Sequence, residues 1–574
     1  MTTTPPHVTS NDGVRLAVYE SGEPDRPTVL AMHGYPDNHA VWDGALDLLA
    51  DRFHTVAYDV RGTGESDKPG ARSAYRLDQL VDDVQAVLDA VSPDAPVHLL
   101  AHDWGSIQAW AAVTDGKLAG RIASLTSISG PSLDYSAVWL RELHRHPSAS
   151  LNQLAHSYYI FLFQLPGLPE FVARSGFLDR MAVAAGRRFR SAAAVEGEPP
   201  RGEADRINGL SLYRANMLGK LGRPNPVRTS VPVQVIAPRN DAFVTPDLAL
   251  EAPRPWVDNL TARTVAGGHW VVSERPDVIA RMTSEFIDGI GAPSPAPAQR
   301  SGEFGGKLVV VTGGARGIGR ATALEFARKG ADVLIADVND VAAKETLAEL
   351  RELGVQAWSE HLDLSDRGEW EAFAERVRAE HRVPDIIVNN AGIGMGGSFL
   401  GTTADDWTKI LGVNVWSVIH GSRLFAAQLV ERGQGGHIVN VASAAAFSPS
   451  VVLPAYATSK AAVLMLTECL RAELARESIG VTAVCPGFID TDITRTTIQV
   501  GVDADMAERR RAHQIESYRK RNYSPEKVAK HIVRAVSADK PVAVITPEAK
   551  VLRVMSRFAP GLGRRLAKVD LNRF

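Results

Sequence analysis

VHLLAHDWG, residues 97–105, decides how the first half of the chain is read. Val97-His98-Leu99-Leu100 is an apolar run of strand length, and Ala101 and Gly105 are small enough for a sharp turn into a helix. A strand-to-helix turn that presents a nucleophile usually has the form G-x-S-x-G, with serine in the middle. Here the middle residue is Asp103. An alkoxide that attacks saturated carbon makes an ether, which water does not cleave. A carboxylate makes an ester whose acyl carbon belongs to the protein, so activated water releases the product and restores the carboxylate. Asp103 therefore predicts displacement at sp³ carbon, with an epoxide or an alkyl halide as electrophile.

Such a reaction needs a base, an acid to orient it and N–H donors for a tetrahedral oxyanion. His269, in AGGHW (266–270), is the candidate base, and Asp241, closing PRND (238–241), is the orienting acid. The order nucleophile, acid, histidine is a known triad order. HGYP (33–36) follows the strand-like run PTVLAM, so the backbone N–H groups of Tyr35 and Trp104 form the candidate oxyanion hole. Taken singly, Asp103 reads as a helix cap, His33 as a hydrogen-bonded core residue and Tyr213 as packing. Together and in this order they read as a site.

Strand-like runs continue on both sides of this turn. PTVLAMHG, HTVAYD, ASLTSISG and VPVQVIAP belong to the first half; KLVVVTGG, ADVLIADV, DIIVNNAG, GHIVNVAS and VTAVCPG belong to the second. Short β-branched runs alternating with helical patterns predict α/β domains with parallel sheets covered on both faces. A Pro-, Ala-, Ser- and Gly-rich stretch separates the halves. The expected boundaries are a first domain over 1–288, a linker over 289–305 and a second domain over 306–574. Residues of about 133–228 break the alternation and read as a helical lid inserted in the first sheet.

In the second half, KLVVVTGGARGIGRATALEFARKG (307–330) reads as strand, glycine-rich turn and helix. Gly313, Gly317 and Gly319 have the T-G-x-x-x-G-x-G spacing that lets a backbone approach a pyrophosphate at a helix N-terminus; Thr312, Arg316 and Ile318 share the loop. Asp337 ends the next strand-like run and favours NAD by accepting from ribose hydroxyls. Arg316 favours NADP, so the choice stays open with a lean to NAD. Tyr456 and Lys460 are i and i+4 on a helix, so the cation lowers the phenol's pKa and equips it for proton transfer during hydride transfer. Ser443 is placed to hold a substrate oxygen, and Asn414 to hold a water in a relay to Lys460.

On these residues the first half resembles the epoxide hydrolase branch of the α/β-hydrolases. HGYP, HDWGS and DVRGTGESDKP (59–69) match that branch, as do SYYIFLFQLPGLPE (157–170) and LSLYRANM (210–217) in the lid. The resemblance implies that Tyr159, counted back from FQLPG with Tyr158 as the neighbouring alternative, and Tyr213 donate hydrogen bonds to an epoxide oxygen. A haloalkane dehalogenase, the rival, typically has a polar residue where Tyr35 stands. The second half resembles short-chain dehydrogenases/reductases over about 305–545, through TGGARGIG, DLS (363–365), NNAG (389–392), Ser443–Tyr456–Lys460 and CPGFIDTDI (485–493). That resemblance places Asp363 and Leu364 near an adenine, Asn390 along the dinucleotide, and Pro486, Gly487 and Thr491 near the nicotinamide. The order of halves resembles bifunctional actinobacterial fusions. It implies a Rossmann-type second domain, small-molecule epoxide and alcohol or ketone substrates, and homo-oligomers through the second half. A dehalogenase–dehydrogenase pair, or one vestigial half serving as a binding module, are the alternatives.

Bulk composition agrees with an ordinary two-domain globular chain. The 574 residues are 45% hydrophobic and 22% charged, with a net charge of −3 that offers no footprint for nucleic acid. Cys469 and Cys485 form no metal motif, and a reducing, cytoplasmic setting is expected. The start shows no signal-peptide pattern and no run is long enough to span a membrane. The apolar lid and the tail hint at lipid substrates. In that tail Arg553, Arg557, Arg564, Arg565 and Lys568 alternate with apolar residues. It reads as a solvated face covering the last domain or a partner, with contact to an anionic membrane as the alternative.

Overall fold

A computed structural model describes residues 5–174, 201–290, 302–489, 491, 493–521 and 523–567. The chain divides into two compact units, Met1–Ser294 and Pro295–Phe574. The central part of the linker (291–301), part of the lid (175–200) and Lys568 lie outside the described residues.

The first unit is built on β1 (His7–Thr9), β2 (Arg15–Ser21), β3 (Thr28–Met32), β4 (His54–Tyr58), β5 (Val97–His102), β6 (Ile122–Ile128), β7 (Val233–Pro238) and β8 (Leu260–Val265). Their order is β1-β2-β4-β3-β5-β6-β7-β8. Strands β3 to β8 pair in parallel, while β1 and β2 add an antiparallel edge that the apolar runs do not announce. Every residue of β3 is buried, because both faces of the sheet are covered. Leu30 and Met32 pack toward the helices Leu77–Val91 and Trp104–Thr114; Val29 and Ala31 pack toward Asp43–Leu49 and Pro276–Gly289. With two apolar faces, the two-residue period of a strand becomes a continuous apolar run. The lid is inserted between β6 and β7. Its described helices are Leu133–Arg141, Pro147–His156, Tyr158–Phe163, Leu168–Arg174, Glu203–Asn208 and Leu210–Gly222.

The second unit holds β9 (Leu308–Thr312), β10 (Asp332–Asp337), β11 (Ala357–His361), β12 (Ile386–Asn389), β13 (Met395–Gly396), β14 (Gly436–Val441), β15 (Ile479–Cys485), β16 (Ile498–Gln499) and β17 (Val542–Val544). Seven of them form a parallel sheet in the order β11-β10-β9-β12-β14-β15-β17, and β13 pairs with β16. The order reverses between β9 and β12, which opens a crevice at the carboxyl ends of those strands. The tail forms helices Pro547–Phe558 and Pro560–Leu566, the first burying Ala549 and exposing Val551, Val554 and Phe558. Among the described residues, no helix is long and apolar enough to cross a membrane, and no cluster of His, Cys, Asp or Glu is arranged to hold a metal.

One buried ion pair fixes the loop after β4. Arg61 donates to Asp83 through Nε at 2.7 Å and Nη2 at 2.5 Å, to Asp12 at 2.8 Å and to the Ala74 carbonyl at 2.9 Å. Both Arg61 and Asp83 are buried. Arg61→Met leaves Asp83 buried without its cation and is expected to destabilise the first unit by about 3–5 kcal/mol. Hydrogen exchange of β3–β5 in the full chain measures that loss.

Candidate active sites

Asp103 sits between β5 and the helix Trp104–Thr114 with φ 50° and ψ −121°, a conformation costly for any residue with a side chain. The surroundings enforce it. A Cβ on Gly105 would lie 2.1 Å from the Met32 carbonyl oxygen, and one on Gly130 would lie 2.0 Å from that of Asp103. The Tyr35 N–H donates to Asp103 Oδ1 at 2.7 Å. A Cβ on Gly34 would lie 2.4 Å from that Oδ1 and 2.6 Å from the Trp104 nitrogen, so only glycine fits beside them. Oδ1 is thus fixed by a backbone N–H, which leaves Oδ2 free of that contact.

His269 stands beyond β8. Its Nδ1 lies 3.0 and 3.1 Å from the carboxylate oxygens of Asp241, and its Nε2 lies 3.6 Å from Asp103 Oδ2. Asp241 is oriented in turn by the N–H groups of Phe243 (2.8 Å) and Val244 (3.1 Å). Burial lowers the basicity of His269, but the charge of Asp241 and hydrogen bonds with Asp103 and Asp241 outweigh it and carry the imidazole up to about 10.

The lid brings two phenols to this carboxylate. Tyr159 and Tyr213 have ring centroids 6.0 Å apart, and Tyr159 is enclosed by Phe163 and Phe243. Tyr158, next on the same helix, points away and is 60% exposed, so Tyr159 is the one that faces the site. Burial and the Asp103 and Asp241 charges push the Tyr159 phenol well above its usual range, with the Tyr213 hydroxyl pulling the other way. Burial, Tyr159 and Asp103 raise Tyr213 likewise. Both phenols therefore keep their protons. The lid is fastened on both sides of the site: Gln153 accepts from Thr245 N–H and Oγ1 at 2.8 Å and donates to the Phe243 carbonyl at 2.9 Å. On the other side, Gly209 packs so closely on Tyr35 that a Cβ would lie 2.4 Å from its ring.

In the second unit the glycine turn joins β9 to the helix Gly317–Arg328. Gly313 and Gly317 have φ of 62° and 57°, and a Cβ on Gly319 would lie 2.0 Å from the Gly313 carbonyl oxygen. Asn390 donates to the Thr312 and Gly313 carbonyls at 3.0 and 3.2 Å, so it shapes the turn itself. Asp337 accepts from Ala315 N–H and Asn339 N–H, both at 3.0 Å, while Arg316 is exposed. Ile318 is half-buried and packs on the core. Thr491 lies across the turn, 3.6 Å from where a Cβ of Gly317 would stand. Asp363 is exposed and tied to Ser365, with Leu364 packed beside it on the core. This bare, open backbone at a helix N-terminus beside a carboxylate fits the pyrophosphate and ribose of a dinucleotide.

Lys460 is buried and donates to the Val441 carbonyl at 2.9 Å, its Nζ 6.0 Å from the Tyr456 ring centroid. Burial lowers it from 10.5 to about 8. Burial raises Tyr456, and the neighbouring Ser443 hydroxyl pulls it back. Asn414 lies in a π-turn, Gly412–Trp416, and its side chain is committed to Ile393 N–H and C=O and to Ser459. Any water held by Asn414 therefore meets its backbone rather than its amide. The Pro486 carbonyl accepts from Ala444 N–H at 2.7 Å, which places Pro486-Gly487 beside the Ser443 segment.

Sequence reasoning missed the groups behind His269. His102 Nε2 is 2.8 Å from the His269 carbonyl oxygen, and Asp37 accepts from Trp270 Nε1 at 3.0 Å. Both lie beside quoted motifs, but their partners are more than 160 residues away.

A model described as the α/β-hydrolase fold matches residues 27–276, and a short chain dehydrogenase model matches residues 307–499. Over 585 aligned positions the chain is 41% identical to the probable oxidoreductase EphD of Mycobacterium tuberculosis, covering 98% of each. It is 27% identical to mouse epoxide hydrolase 4 over 48% of this chain and 77% of that protein. A short-chain dehydrogenase/reductase from Burkholderia phymatum, solved in complex with NAD, is 28% identical, covers 45% of this chain and 96% of that one, and has a TM-score of 0.42. The carboxylate elbow in one unit and the serine–tyrosine–lysine set in the other thus occur in a chain that belongs to the EphD family, an α/β-hydrolase domain followed by a short-chain dehydrogenase domain.

Proposed function

We propose that the first unit hydrolyses epoxides to vicinal diols and that the second interconverts alcohols and carbonyls with NAD or NADP, NAD being favoured. One observation carries the first reading: two protonated phenols, Tyr213 buried and Tyr159 half-buried, stand beside a carboxylate on a strand-to-helix elbow. Asp103 Oδ2 attacks a ring carbon, the carbon–oxygen bond breaks, and a tyrosine gives the leaving alkoxide its proton, which the resting His269 cation replaces, leaving a neutral imidazole. His269 then takes a proton from water, which attacks the Asp103 acyl carbon while Tyr35 and Trp104 hold Oδ1. The ester collapses to diol and carboxylate. A halide needs no proton to leave, so the paired phenols favour an epoxide. Likeness to an epoxide hydrolase supports the same choice.

In the second unit a bound nicotinamide dinucleotide supplies the hydride acceptor or donor. The glycine turn and Asp337 hold it, Ser443 binds the substrate oxygen, and Tyr456 takes or gives the hydroxyl proton with Lys460 as the neighbouring cation. A vicinal diol is an alcohol, so the first product is a substrate class for the second site. The two steps together convert an epoxide, water and NAD+ to a hydroxyketone, NADH and a proton.

A single turnover of epoxide in heavy-oxygen water is expected to label the protein before the diol, read by intact-protein and product mass. Label entering the diol directly overturns the ester mechanism. His269→Gln is expected to accumulate the ester. With epoxide and NAD together, ketone is expected only when Asp103 and Tyr456 are both intact; ketone from Asp103→Ala breaks the proposed sequence.

Lys460 also makes a stability prediction. Below about pH 8 it is cationic both folded and unfolded, and folding carries the full burial cost. Between about 8 and 10.5 only the unfolded chain keeps the proton, so stability rises with pH across that window. The gap is worth about 3 kcal/mol, and loss of the Val441 hydrogen bond offsets about 1. Lys460→Met is therefore expected to stabilise the dinucleotide-free second unit by about 2 kcal/mol at pH 7, an advantage that fades toward pH 10.5 in denaturant titrations, while dehydrogenase activity is lost.

A further inference from the structure

We propose that Asp37 is a positioning residue for the hydrolase: it braces the base His269 against the oxyanion loop and seats the lid on the same point. The inference rests on the ester-forming reading above. Asp37 lies two residues after Tyr35, whose N–H holds the nucleophile. It is fully buried, and both of its oxygens are used. Oδ1 accepts from Arg201 Nε at 2.6 Å, and Oδ2 accepts from Trp270 Nε1 at 3.0 Å. Trp270 follows His269, and its ring stands edge-on to the imidazole, 5.0 Å between centroids. The Arg201 guanidinium covers the other partner, 4.9 Å over the same indole.

Residues 269 and 270 are thus held from two directions. His102, which directly precedes the nucleophile, holds the His269 carbonyl; Asp37 holds the Trp270 indole. Arg201 joins the lid to this brace. It opens the segment in which Asp205 accepts from Gly64 N–H at 2.9 Å and Asn208 donates to the Gly62 carbonyl at 3.0 Å. A buried ion pair adds little stability over apolar residues of equal volume. Stability alone gives no reason for a carboxylate and a guanidinium here, whereas placement of the base does.

The two chemical steps depend on this brace unequally. Alkylation uses Asp103 and the phenols. Ester hydrolysis needs His269 aligned with water and the ester carbon. A loosened base therefore slows the second step, so ester accumulates and kcat and KM fall together while kcat/KM, set by alkylation, holds.

The test uses the full chain with styrene oxide and 1,2-epoxyoctane as probes, steady-state kinetics and intact-protein mass during turnover. Asp37→Ala is expected to lower kcat and KM together by about tenfold, keep kcat/KM within about threefold, and make the ester the main protein species. Arg201→Met, which strands the carboxylate, is expected to do the same. Adding Asp37→Asn to Arg201→Met is expected to restore kcat to within about threefold of wild type, because the amide oxygen still receives the indole N–H. If Asp37→Ala does not fold, the double variant carries the test. A fall in kcat at unchanged KM, no rise in ester, or lowered thermal stability with wild-type kinetics overturns the proposal. If His269→Gln also accumulates no ester, the ester reading fails and this inference fails with it.

Discussion

The hydrolase half depends on one backbone conformation, the left-handed φ of Asp103. It turns the carboxylate out of the sheet and up into the site, and three glycines, 34, 105 and 130, clear the space for it. Tyr35 N–H then fixes Oδ1, so rotation of the carboxylate is spent before any substrate arrives. That leaves Oδ2 as the nucleophilic oxygen, with His269 on one side and the lid phenols within its field. Strain in the backbone becomes preorganisation of the side chain.

The same carboxylate sets the protonation of its neighbours. Asp103 and Asp241 together keep His269 protonated at rest. On the proposed mechanism, ester formation neutralises one of the two, and the remaining imidazole–Asp241 pair is better suited to take a proton from water.

The parts legible in sequence were those written in local pattern. Doubly covered strands such as TVLAM and LVVVT are apolar throughout, and glycines betray tight turns before any partner is known. Strands with a polar or exposed face were not legible: β8, LTARTV, and β11, AWSEH, lack a buried run, and β17 has three residues. In the site, Asp103, His269 and the Ser443–Tyr456–Lys460 set stood out because each occupies a turn, a strand end or a helix repeat. The choice of Tyr159 over Tyr158 rested on counting back from FQLPG, and the lid's orientation supplies its physical reason, since adjacent residues of one helix face different ways. The brace of Asp37, Arg201 and Trp270 was illegible for a different reason. Its members are separated by up to 233 residues and carry no spacing rule, so only the fold brings them together.

The two units put the same functional group to opposite uses, and the charges around it decide which. In the first, the charges of Asp103 and Asp241 disfavour a phenolate at Tyr159, and that of Asp103 does so at Tyr213. Such a phenol only donates, which suits a leaving alkoxide. In the second, Tyr456 is half-buried, its charged neighbour is a lysine and its hydrogen-bond partner is Ser443. Burial still raises this phenol and Ser443 pulls it back; on the proposed reading the Lys460 cation 6.0 Å from its ring centroid helps it to surrender and recover a proton. On the proposed reading, the sign of the neighbouring charge, with the phenol unchanged, separates ring opening from alcohol oxidation.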